Sequence, residues 1–136
     1  MSKVLLILDV ENDQMNHLTH QLPEKIKKYL DNNHYDSVIS AGKGEVVDVL
    51  KPYVMQSFKR SGLNAINKDL RGYLLGNNVT EVDVCGVNTE STILSTMFSL
   101  YDAGYKVHGV RELCASKGSC LDSVRAFGIM RLSFND

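Results

Sequence analysis

The sequence predicts an α/β protein: a parallel sheet with helices on both faces. Three observations predict it. Short apolar runs alternate with amphipathic stretches along the whole chain, the pattern of repeated βαβ units. The first run, Val4–Val10 (VLLILDV), is apolar without alternation and meets an acid, Asp9, near its end. Such a run reads as a strand buried on both faces. The length, 136 residues, suits a single domain over 1–136 with a core large enough to need no staples.

The elements follow in order. After the first strand, Leu22–Asn33 carries Leu22, Ile26, Tyr29 and Leu30 at helical spacing, with Pro23 suited to a first turn. Ser37–Ala41 is a second strand, closed by Gly42-Lys43-Gly44, and Val46–Leu50 a third. Leu63, Ile66, Leu70 and Tyr73 share one helical face, which Gly76 ends. Glu81–Val87 is a fourth strand, Thr89–Ala103 a helix stopped by Gly104, and Tyr105–Val110 a fifth strand. Ser119 to about Gly128 is a last helix, with Ser119-x-x-Asp122 resembling a capping box. Ile129–Phe134 reads as a sixth strand.

Composition excludes several function classes. Fifteen Lys and Arg stand against 16 Asp and Glu, so no basic footprint argues for nucleic acid. The opening MSKVLLILDV is too short and too soon charged for a signal peptide or a membrane span. Three cysteines, without disulfide or zinc spacing, read as reduced thiols and a cytoplasmic setting. His17 and His20 lack further ligands at metal spacing, so no metal is expected. No P-loop and no GxGxxG follows a strand, so no nucleotide cofactor is expected either.

In parallel sheets, ligands gather at the carboxyl ends of strands near the switch in strand order. That rule selects Asp9, Lys51 and Asn88–Thr92. Asp9 closes the first strand, where a half-desolvated carboxylate suits acid–base work, although a loop acid often only caps a turn. Lys51 follows the third strand and, facing Asp9, would stabilise developing negative charge; otherwise it is a solvated strand-end lysine. Gly86–Thr92 is a strand-to-helix turn, whose free N–H groups and positive dipole favour an anion. Thr89 and Thr92 also suit plain helix capping.

Three stretches resemble one family in register. LLILDVENDQM resembles the "LLxIDxQNDF" opening of the isochorismatase-like, or cysteine hydrolase, superfamily. LKPYVMQSF resembles its Lys followed by a Ser-Ala-Phe element. VDVCGVNTESTILSTMFSLYDAGYKVHGVRELCAS is similar to its Gly, Thr, helix, Gly-Tyr and Cys-Ala-Ser succession. The resemblance implies a three-layer α/β/α sandwich on a six-stranded, Rossmann-like parallel sheet of order 3-2-1-4-5-6. It puts the family acid on Asp9 and its lysine on Lys51. It implies a cis peptide between Val87 and Asn88 that shapes an oxyanion site from Val87, Asn88, Thr89 and Ser91. It also implies a homo-oligomer.

The departures from the family pattern are specific. The nucleophile position holds Thr92 where the family has Cys, and Glu11 stands for the usual Gln. Gln14 replaces an aromatic, and Glu112 an Asp. Only a short connection is expected between the second and third strands, where the family has a cover. Two readings of function stand side by side. One is a hydrolase of a small carboxylate, vinyl ether or amide, using Asp9 and Lys51, with water or Thr92 as nucleophile. The other is an inactive member that binds a small anionic ligand.

Overall fold

The computed structural model describes residues 2–134. Strand β1 (Ser2–Leu8) lies in the middle of the sheet. Its Val4–Leu8 stretch sends side chains alternately to the two faces, and all five are fully buried. Helix α1 (Leu22–Asn32) covers the face that receives Leu5 and Ile7, with Leu22 and Ile26 in that core. Three helices cover the other face: α2 (Lys68–Gly76), α3 (Leu94–Asp102) and α4 (Cys120–Phe134). Their Leu70, Leu74, Met97, Leu100 and Met130 pack with Val4, Leu6 and Leu8. The result is the expected three-layer arrangement.

The other strands are β2 (Ser37–Gly42), β3 (Gln56–Lys59), β4 (Val79–Val87) and β5 (Lys106–Ala115). All pairings are parallel, in the order β3-β2-β1-β4-β5. The chain winds outward from β1 to β3, then returns to the other side of β1 at β4. The switch in strand order therefore falls at β1. Register aligns the carboxyl ends: Leu8 lies opposite Ala41 and Gly86, and Gly42 opposite Lys59.

Three sequence expectations are corrected. Val46–Leu50 is not the third strand. Asp48–Tyr53 is a 3-10 helix, and Val46, Val47 and Leu50 bury themselves beside α1 at the spacing of a turn. The third strand is Gln56–Lys59, where only Phe58 is buried; a short polar strand suits an edge. The connection between β2 and β3 thus runs over residues 43–55 and is longer than expected. Finally, Ile129–Phe134 is not a sixth strand but the end of α4, because Ala126 and Met130 continue one buried helical face through Gly128. The described sheet has five strands. The second helix also starts later than its apolar spacing suggested, at Lys68, where the Asn67 side chain caps it by accepting from Leu70 N–H at 3.1 Å.

Candidate active site at the carboxyl ends of the strands

Asp9 is the first residue beyond β1. Its φ of 56° lies in the left-handed region, a turn that Asp tolerates better than most residues. Its N–H still donates to Ala41 O at 3.0 Å, so the side chain is held at the strand end. The residue is 4% exposed.

The cation that meets it is Arg60, not Lys51. Arg60 Nε donates to both Asp9 oxygens, at 2.9 and 3.1 Å, and Nη2 donates to Oδ2 at 2.5 Å. Both partners are almost wholly buried side chains. Bonding to Asp9 pushes the Arg60 guanidinium further up, against a smaller opposing effect of burial. Arg60 also anchors its own turn by donating to Gly62 O at 2.6 Å.

Lys51 lies on the 3-10 helix, half exposed, 2.9 Å from Asp48 and 3.6 Å from Glu45. Asp48 above all pushes its ammonium up. The structure does not bring Lys51 to Asp9. It borders a hollow of about 280 Å³ together with Gly44, Val46, Ser57 and Phe58. The third strand ends at Lys59, nine residues beyond the end that the apolar pattern suggested. The residue after it is Arg60.

Glu11 joins the pair. It is 6% exposed, and its Oε2 accepts from Gly44 N–H at 3.0 Å. A Cβ on Gly42 would overlap Glu11 Oε2 and lie 3.2 Å from Asp9 Oδ1. The two carboxylates therefore converge above Gly42, where a side chain would push the Glu11 carboxyl out of its present position. Burial pushes the Glu11 carboxyl up; Gly44 N–H opposes this, and the neighbouring Asp9 charge adds to it. The sequence marks Glu11 as a departure from a family pattern and as a member of the polar run Asp9-x-Glu11-Asn12-Asp13 at the strand end.

On the other side of Asp9 lies the end of β4. Gly86 has φ 125°, and a Cβ there would overlap the Leu8 carbonyl oxygen. The Val87–Asn88 peptide is cis, as the resemblance implied. Thr89–Ile93 forms a π turn, with Ile93 N–H donating to Asn88 O at 3.2 Å, ahead of α3. Of the residues expected to bind an anion here, several are otherwise engaged. Asn88 Oδ1 accepts from Lys117 N–H at 2.9 Å. Thr89 is fully buried; its hydroxyl donates to Ala115 O at 3.1 Å and meets Ser123 Oγ at 2.7 Å. Ser91 N–H is spent on Asn88 O, and Val87 is fully buried. Thr92 is 2% exposed, and among the described residues no hydrogen bond joins it to Asp9.

The cysteines offer no substitute nucleophile. Cys85 is free and buried and Cys114 free and half-buried; desolvation pushes the Cys85 thiol well up and the Cys114 thiol up to about 12. Cys120 is free and exposed, on α4. Among the described residues no cluster of three or more metal-ligating side chains occurs, and no helix is long and apolar enough to cross a membrane.

A concavity of about 900 Å³ lies elsewhere. It runs along β5 and α4 and reaches the amino-terminal ends of the strands at Lys3 and Glu81. Among its charged groups Lys3 pairs with Glu81 and Asp83, and Lys106 with Glu81, while Arg111 lies over the Phe127 ring. The strand-end site holds a buried Asp–Arg pair with a second buried carboxylate beside it and is the stronger candidate for chemistry.

The isochorismatase domain family model matches residues 17–136. A curated relative, isochorismatase domain-containing protein 2 of Xenopus laevis, is 36% identical over 92 residues. That match covers 63% of this chain and 40% of the relative, so it spans well under two-thirds of the relative's length. Among solved structures, the nicotinamidase/pyrazinamidase PncA of Bacillus subtilis aligns with a TM-score of 0.84 at 17% identity, covering 99% of this chain and 97% of that one. An isochorismatase-like hydrolase of Alkaliphilus metalliredigens aligns at 0.83 and 15%, covering 97% and 91%. The MAR1 ribonuclease of Caenorhabditis elegans aligns at 0.79 and 18%, covering 97% and 73%. At these identities the structural likeness concerns the fold.

Proposed function

The chain belongs to the isochorismatase domain family, and from that premise we propose that it is a hydrolase of a small carboxylate, vinyl ether or amide, working without a cysteine nucleophile. The observation that carries this reading is the buried Asp9–Arg60 pair at the end of the central strand. An ion pair withheld from water at a strand-order switch is costly to keep for stability alone. It suits a site that binds a polar substrate and steadies charge as a bond breaks. Arg60 takes the orienting role expected of Lys51. Water is the nucleophile, because the Thr92 hydroxyl is far harder to ionise than a thiol and has no base bonded to it among the described residues.

The test is turnover of isochorismate, followed by pyruvate release, and of nicotinamide, followed by ammonia release. Turnover of one of them is expected, falling by about 10²-fold or more in Asp9→Ala. A second reading, an inactive member that binds a small anion, is favoured by one observation: both Asp9 oxygens are already occupied by Arg60. Calorimetric binding of isochorismate with no turnover of either compound would select that reading.

A further inference from the structure

We propose that Glu11, not Asp9, is the acid that carries the exchangeable proton of this site and hands it to the bound substrate. The inference rests on the hydrolase reading above. It starts from how the two carboxylates are bonded. Asp9 accepts three hydrogen bonds from Arg60, spread over both oxygens. A proton on Asp9 would weaken its charge-assisted bonds to the Arg60 guanidinium. Glu11 has one bond, from Gly44 N–H to Oε2. Among the described residues its carboxyl has no salt bridge and its Oε1 no hydrogen-bond partner; no fully buried side-chain oxygen there lacks one, so Oε1 is the edge of this largely buried residue that opens to the site.

The surroundings of Glu11 favour holding a proton. Burial acts first, and the negative charges of Asp9 at the end of β1 and Asp13 in the following turn act the same way. Gly44 N–H from the loop after β2, and Arg60 from the end of β3, oppose them. The net direction is upward, which favours the protonated form. Position is supplied by the two glycines. Gly42 lacks the Cβ that would overlap Glu11 Oε2, and Gly44 donates the bond that orients it.

With a vinyl ether the step balances as follows. The Glu11 carboxyl proton passes to the terminal vinyl carbon, and the C=C electron pair becomes the new C–H bond. Water adds to the adjacent carbon, now an oxocarbenium ion, and returns a proton to the Glu11 carboxylate. The resulting hemiketal loses the alcohol, leaving the ketone. The Asp9–Arg60 pair remains ionic throughout and orients the substrate.

The experiment uses the full chain, isochorismate as substrate, and the variants Glu11→Gln and Glu11→Asp. Gln keeps the shape and an acceptor for Gly44 N–H but holds no acidic proton. Expected is a loss in kcat of about 10²-fold or more in Glu11→Gln with KM little changed, and partial return in Glu11→Asp. The wild-type fall of kcat toward alkaline pH should vanish in the residual activity of Glu11→Gln. Undiminished kcat in Glu11→Gln overturns the proposal. If the wild type turns over neither isochorismate nor nicotinamide, the hydrolase reading fails, yet carboxyl carbon NMR titration still decides on the proton carrier. A Glu11 resonance, assigned by its absence in Glu11→Gln, that titrates above the ordinary glutamate value supports the proposal. One that titrates at or below it overturns the proposal.

Discussion

Arg60 and Asp9 lie 51 positions apart in sequence and meet only because their strands end side by side with β2 between them. The pair is asymmetric in what its halves cost when left alone. Removing Arg60 strands a carboxylate that is 95% buried. Arg60→Ala should therefore destabilise the fold by about 3–5 kcal/mol. The double variant Asp9→Ala/Arg60→Ala should recover part of that loss, because no buried charge remains unpaired. Chemical denaturation of the four proteins in the cycle reads the coupling. Equal stability of Arg60→Ala and wild type would show that water reaches Asp9 freely. At this scale the sequence disclosed half the pair. An acid near the end of an apolar run is visible, because strand and acid are adjacent. A cation from another strand leaves no local mark, so Lys51, the first cation after an apolar run, was taken in its place.

Elements set where such residues stand. The segment Val46–Leu50 is apolar enough for a strand, but it packs as a turn against α1, and the actual β3 contributes one buried residue. Periodicity over five residues cannot separate these outcomes, since a short apolar run fits either. The β4–π turn junction was legible because Gly86, Asn88 and Thr89 sit together in the chain. Gly86 closes that junction against β1. A side chain there meets the Leu8 carbonyl and takes a φ that L residues rarely adopt. Gly86→Ala should cost about 2 kcal/mol or more, with a lower Tm in calorimetry. It should also lower turnover, because β1 has to shift and carries Asp9 with it. An unchanged Tm would mean that β4 can slide away from Leu8 at little cost.

For the whole molecule, the groups with raised pKa act in one direction. Burial pushes Tyr35, Cys85 and Cys114 up, and the hydrogen bond from Tyr35 to Asp83, 2.6 Å long, adds to it. Each of these acids is neutral in the folded state over a wider range than in the unfolded chain. Their contribution is complete below the ordinary thiol and phenol values, about 8.5 and 10, and is lost as pH rises beyond them. Tm should therefore change little between about pH 6 and 8 and fall above about pH 8.5. The fall should be shallower in Cys85→Ala, although that variant starts lower from the space left in the core. A Tm that holds steady to about pH 10 would contradict this account of the buried thiols.

The sequence by itself determined the parallel α/β class, the central position of the first strand, the acid at its end and the strand-to-helix turn near Thr92. All of these are written in residues that lie next to one another, through apolar runs, glycines and caps. Only the tertiary structure decided that the third strand is Gln56–Lys59, that α4 continues where a sixth strand was expected, and that Arg60 rather than Lys51 meets Asp9. It also decided that Glu11 stands buried beside them with one oxygen unengaged among the described residues. Burial and charge pairing depend on which distant segments pack together. That choice is made by the summed contacts of the whole core and leaves no trace in local sequence.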